Sequence, residues 1–139
     1  MLRDLFLQTY AAIPATLTRE QIEQTVEAYL ASYATNDIAA RAALFADNAV
    51  AEEPVGTPPI TGRAALRTFW QGSVDAGWSC ANKLKRIIVN GNEACIVFQS
   101  ELSVAGQGSV SLEVFETLAF DESCHILHLR AFNDKTCLT

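Results

Sequence analysis

The chain is short of what metal sites, nucleic-acid surfaces and membrane spans require. It has two histidines, and its four cysteines, Cys80, Cys95, Cys124 and Cys137, are widely spaced with no C-x-x-C pair. Such spacing builds neither a zinc site nor a disulfide framework, so no metal or other cofactor is expected and the thiols read as those of a cytoplasmic protein. Basic residues are outnumbered, 10 Lys and Arg against 16 Asp and Glu, for a formal net charge of -6. Nucleic acids and anionic membrane surfaces select the opposite sign, so neither is an expected partner. Long hydrophobic runs are missing as well. The apolar patch between Met1 and Pro14 is interrupted by Arg3, Asp4 and Gln8, which leaves it too short and too polar for a secretory leader or a membrane span. There are no internal repeats, low-complexity tracts or charge blocks, and no linker long enough to divide the chain.

What is present is apolar: half of the 139 residues are hydrophobic and 19% are charged. That balance excludes disorder and predicts one domain with a large apolar interior, pocket or subunit interface. Residues 1–17 read as an N-terminal arm or short helix, packed on the domain or on a partner subunit, and residues 18–139 as a single domain. Thr18-Arg-Glu-Gln21 forms a capping box, after which Ile22, Val26, Tyr29, Leu30 and Tyr33 recur at helical spacing. A second helix is predicted from about Ile38 to Phe45, with Ala42 and Phe45 inward. A third, capped by Thr61, runs to about Val74 with Leu66, Phe69 and Trp70 on its apolar face. From Lys83 the period becomes alternating. Strands are predicted over Lys83–Val89, Glu93–Val104, Ser109–Phe120 and His125–Asn133, the first two joined by the Asn90-Gly91 hairpin signal. Helices first and a mainly antiparallel meander after them make an α+β domain. Its three helices are expected on the concave side of a strongly curved sheet, around a conical cavity.

Two stretches hold unusual carboxylates. In Val50–Arg63, Glu52 and Glu53 end a predicted short strand, Ala49–Glu53, just before Pro54, and Pro58 and Pro59 stiffen the loop beyond. Alternation sends the two acids to opposite faces without saying which points inward. A carboxylate fixed at a strand end is a candidate general base; the plain alternative is a pair of solvated strand-end acids. The second is Glu116, which shares one strand face with Leu112, Val114, Leu118 and Phe120. Such an acid either needs a partner, a cavity or a proton, because burying it charged and alone costs several kcal/mol, or that face is partly open. Tyr29, in the first helix's buried stripe, is either an ordinary core tyrosine or a hydroxyl donor to the cavity.

The run Phe45-Ala-Asp-Asn-Ala-Val-Ala-Glu-Glu-Pro-Val-Gly-Thr-Pro-Pro-Ile-Thr-Gly-Arg63, with Ala28-Tyr29-Leu30 and Phe120-Asp121-Glu122, resembles the steroid delta-isomerase (ketosteroid isomerase) branch of the superfamily that also holds nuclear transport factor 2 and the SnoaL-like polyketide cyclases. The resemblance covers roughly Ile22 to Phe132. It implies an oxyanion-hole tyrosine at Tyr29, a general base at Glu53 and a proton-donating acid at Glu116. It also implies an apolar substrate wall, for which Phe45, Val55, Phe69, Trp70, Val114 and Leu118 are the candidates. Both acids are glutamates where the family has aspartates. Phe45 and Trp70 stand in place of tyrosines and Asn133 in place of a tryptophan, so a thinner hydrogen-bond network behind Tyr29 is expected. The implied reaction moves a carbon–carbon double bond into conjugation with a ketone in a steroid-like substrate. A polyketide cyclase with the same base and donors is the second reading, and a non-catalytic small-molecule-binding or scaffold domain the third. A homodimer through the outer sheet face is expected, since a chain of this length rarely covers both faces of such a sheet.

Overall fold

The computed structural model describes all residues, Met1–Thr139. Helix α1 (Leu2–Ala11) has no buried residue. Beyond it the chain is tied down at Thr16 and Leu17, whose backbone N–H groups both donate to the Asn92 side chain at 3.1 Å. Leu17 is the first residue of the core. Helix α2 (Arg19–Ala31) opens on the Thr18/Gln21 capping box and buries Ile22, Val26, Tyr29 and Leu30. Helix α3 (Ile38–Ala43), capped by Asp37, is shorter than its sequence pattern predicts. Phe45 does not continue it but opens strand β1 (Phe45–Glu52), because Ile126 N–H already bonds the Leu44 carbonyl at 2.8 Å and starts a strand pairing there.

After β1 the Glu53–Pro54 peptide is cis, and a two-residue strand β2 (Ile60–Thr61) folds back on Val50 and Ala51. This pairing takes Thr61 away from the helix it was expected to cap. Gly62, at φ 93°, is the N-cap of α4 (Arg63–Asp75), and its N–H donates to the Ala49 carbonyl at 2.7 Å. A positive φ is cheap only for glycine, so the sharp exit from β2 into α4 rests on that residue. Helix α4 buries Leu66 and Trp70.

The meander has strands β3 (Trp78–Asn90), β4 (Glu93–Val104), β5 (Gly108–Phe120) and β6 (Ile126–Phe132). Strand β3 begins five residues before the alternating pattern is legible. Its first half pairs with residues up to Val104 through backbone bonds that need no apolar signature. The sheet order is β2-β1-β6-β5-β4-β3. All neighbouring pairs are antiparallel except β1 with β6, which run parallel. The result is an α+β fold with four helices and a curved, open six-stranded sheet. No helix is long and apolar enough to cross a membrane.

Candidate active site

The register between β1 and β6 resolves which acid faces inward. Glu52 lies opposite Arg130, and its carboxylate accepts from Arg130 Nε at 2.8 Å and bonds His128 Nε2 at 2.9 Å on the outer face. Those bonds hold its carboxyl below the usual range. Ala49 and Ala51, on the other face, are 0% and 1% exposed, and Glu53, one residue past the end of β1 where the strand was expected to include it, keeps their side and lines the interior cavity.

On β5, Glu116 is paired with Ile96 on one side and Ala131 on the other, both fully enclosed. It is 2% exposed. Its Oε1 is buried without a hydrogen-bond partner. Burial, and next the Glu53 carboxylate, push its pKa well up. Burial also pushes Glu53 up, to about 7, against the lowering influence of the Arg41 guanidinium.

Tyr29 completes the group from α2. Its hydroxyl lies 3.0 Å from that of Tyr33, which the sequence stripe puts in the helix but which sits in the turn just past the end of α2, and the two rings meet edge to face at 5.4 Å. Desolvation first, and then the carboxyl of Glu116, keep the Tyr29 phenol protonated far above neutral pH. Tyr29, Tyr33, Glu53, Glu116, Val114 and Asn133 line one cavity of about 150 Å³. Glu53 and Tyr33 also line an adjoining cavity of about 140 Å³, together with Arg41, Phe69, Trp70 and Trp78. Of the expected wall, Val114 therefore belongs to the first chamber and Phe69 and Trp70 to the second. Phe45 and Leu118 lie in the core outside both linings, Phe45 packed between Tyr29 and Trp70 at centroid distances of 5.7 and 5.2 Å. Val55 lies outside both linings too, its N–H bonded to the Ala131 carbonyl at 2.8 Å.

The network behind Tyr29 runs through Tyr33. Tyr33 supplies the hydroxyl that Phe45 and Trp70 lack. Arg41, 2% exposed, braces it: the guanidinium carbon is 3.5 Å from the Tyr33 ring centroid, Nε donates to Ser32 Oγ at 2.9 Å and Nη2 to the Ser32 carbonyl at 3.1 Å. Ser32 Oγ in turn donates to the Tyr29 carbonyl at 2.6 Å. Neither Tyr33 nor Arg41 stands out as a functional residue in the sequence. Tyr33 has a signal, because it continues the stripe of Ile22, Val26 and Tyr29 four residues past Tyr29; Arg41 has none, because Phe45 leaves the helix for β1.

A buried tyrosine, an acid whose pKa burial pushes well up and a second carboxyl pushed up to about 7, all on one cavity, are equipped to move a proton between carbons while holding an oxygen that gains charge. Residues 26–128, a span containing all three groups, match the SnoaL-like domain. The chain belongs to the SnoaL-like domain family. This SnoaL-like protein is 31% identical over 112 residues to the steroid Delta-isomerase of Nocardioides simplex, a match covering 81% of this chain and 89% of that protein. Two solved structures share the fold. One is SalBIII, an epoxide hydrolase/cyclase-like enzyme with a role in pyran ring formation in the polyether salinomycin, with a TM-score of 0.77 and 20% identity over 86% of this chain and 95% of that one. The other is an LEH-like epoxide hydrolase of M. tuberculosis, with a TM-score of 0.75 and 22% identity over 85% of this chain and 86% of that one.

Proposed function

We propose that this SnoaL-like protein is an isomerase that shifts a carbon–carbon double bond into conjugation with a ketone in a flat, apolar, steroid-like substrate. Glu53 removes the proton from the carbon between the ketone and the double bond. The electron pair moves onto the carbonyl oxygen, giving a dienolate, and the same proton returns to the far carbon of the former double bond. No cofactor is consumed and no atom is gained or lost. Tyr29 and the protonated Glu116 donate hydrogen bonds to the dienolate oxygen. Each such donor, placed where charge develops, contributes on the order of 10²–10³ in rate.

The observation that carries this reading is Glu116, a carboxyl buried among apolar neighbours with Oε1 unpartnered, beside Tyr29 and within reach of the Glu53 charge. A structural acid acquires a partner; an acid kept protonated on a cavity wall is a hydrogen-bond donor for something that enters the cavity. The likeness to the Nocardioides simplex steroid Delta-isomerase supports the same assignment. Family membership also favours an aldol-type cyclisation, in which Glu53 would again form the enolate and the two donors hold it.

The deciding experiment follows conjugated-enone absorbance with a panel of unconjugated ketones, using Glu53→Gln as control. Turnover by the native protein that the variant lacks is the expected result. Tight binding of a flat hydrophobic ligand with no turnover of any ketone would overturn the isomerase in favour of a binding domain.

A further inference from the structure

The second chamber has features the isomerase reading does not use. It adjoins the first at Glu53, Tyr33, Cys80 and Leu102, which line both. Pockets for drug-sized ligands run to roughly 300–1,000 Å³. Each chamber alone, about 150 and 140 Å³, is far below that range. A ligand of several fused rings held at Tyr29 and Glu116 outgrows the first chamber, and the second adjoins it past Glu53.

The walls there are aromatic, Phe69, Trp70 and Trp78, and the cation among them is Arg41. The guanidinium is buried and lies over two rings, its carbon 3.5 Å from the Tyr33 ring centroid and 5.0 Å from that of Trp70. Two of its nitrogens are committed to Ser32. The third, Nη1, has no partner in the protein. A brace between α2 and α3 accounts for the stacking and the Ser32 bonds, but not for a donor left over on a cavity wall.

Resting on the isomerase reading, we propose that the second chamber receives the far end of the substrate and that Arg41 Nη1 donates to an uncharged oxygen there, a ketone or a hydroxyl. The charge balance of the chamber excludes a carboxylate. Glu53 shares the chamber with Arg41 and acts as a base only when ionised, so the one buried cation already faces one anion. A second anion on Arg41 would cancel that support and put a like charge beside Glu53, driving it to the protonated form. The substrate is thus a flat ketone with a second neutral oxygen at its opposite end, and Arg41 sets its length and polarity.

The test is equilibrium binding of phenols, whose oxygen stands in for the dienolate oxygen, with no turnover required. The short probe is 2-naphthol, which fills the first chamber. The long probes are three tetracyclic phenols bearing hydrogen, a ketone or a carboxylate at the far end. The expected order is ketone about tenfold or more tighter than hydrogen, with the carboxylate weakest. Arg41→Gln should abolish the ketone preference, read within that variant as the ratio of ketone to hydrogen affinity falling to about one. Because that variant also loses part of the brace, Ser73→Leu provides a second reading. It narrows the same chamber from α4 and should weaken all three long probes while sparing 2-naphthol. Equal affinity for hydrogen and ketone, a ketone preference surviving in Arg41→Gln, or tightest binding of the carboxylate overturns the proposal. Failure of every phenol, 2-naphthol included, overturns the oxyanion site and the chamber assignment with it. An Arg41-dependent ketone preference in a protein that turns over no enone upholds the chamber and removes only the isomerase.

Discussion

Replacing Glu116 by leucine should destroy activity and stabilise the fold, and the stabilisation should grow with pH. Leucine is close to glutamate in size, and its neighbours across the sheet, Ile96 and Ala131, are apolar. The substitution removes a buried oxygen without a partner, a defect worth about 1–3 kcal/mol. The second part is a linkage effect. In the folded protein burial raises the Glu116 pKa well above the ordinary 4.5, so the native state keeps a proton that the unfolded chain releases. With fewer protons on the unfolded state, stability falls as pH rises from about 4.5 toward the native pKa. For a group that stays protonated when folded, the loss between pH 5 and pH 7 is about 2.5 kcal/mol. Glu53 contributes a loss of the same sign, but both proteins retain it, so it drops out of the comparison to first order. Urea unfolding of native protein and Glu116→Leu at pH 5 and pH 7 measures the difference directly. The variant should be more stable at both, with an advantage about 2.5 kcal/mol larger at pH 7. A variant less stable than the native protein, or an advantage that does not change with pH, would show that Glu116 is an ionised and satisfied residue, and the oxyanion acid would be lost.

The same protonation state should appear as an infrared carboxyl band near pH 7 that vanishes in Glu116→Gln; that amide still donates and should keep part of the activity, whereas Glu116→Ala should lose more. With Glu53 poised at about 7, kcat/KM should climb as pH rises through about 7 and level off above it, since the base works only when deprotonated; a profile flat from pH 5 to 8 contradicts the assignment. Tyr33→Phe removes the partner of the Tyr29 hydroxyl and should lower kcat about tenfold with little change in stability, about 1 kcal/mol; unchanged kcat would make Tyr33 a packing residue only. A second copy of this chain is the proposed cover for the outer sheet face, where Phe115 and Phe132 are 41% and 43% exposed and lie opposite each other across β5 and β6; sedimentation at micromolar concentration should give a dimer, and a monomer alone would contradict it.

Much of this SnoaL-like protein is legible in its sequence because local rules write it there. The Thr18 capping box, the stripe of Ile22, Val26, Tyr29 and Leu30, and the Asn90-Gly91 hairpin are properties of a few neighbouring residues, and helical and alternating periods announce themselves without reference to the rest of the chain. Alternation likewise placed Glu116 in an apolar row. What it left open was set by partners distant in sequence. Glu53 faces inward because β1 pairs in parallel with β6, where Arg130 and His128 hold Glu52 outside; neither residue is within 70 positions of the pair it sorts. Phe45 leaves its helix for a strand because Ile126 claims the carbonyl before it, and Thr61 gives up its cap to the pairing with Val50. Arg41 reads as one charge in an alanine-rich helix until packing closes Tyr33 and Trp70 over it. Burial and strand register depend on the whole chain at once, and desolvation and neighbouring charge decide whether an acid becomes a base, a donor or a surface residue.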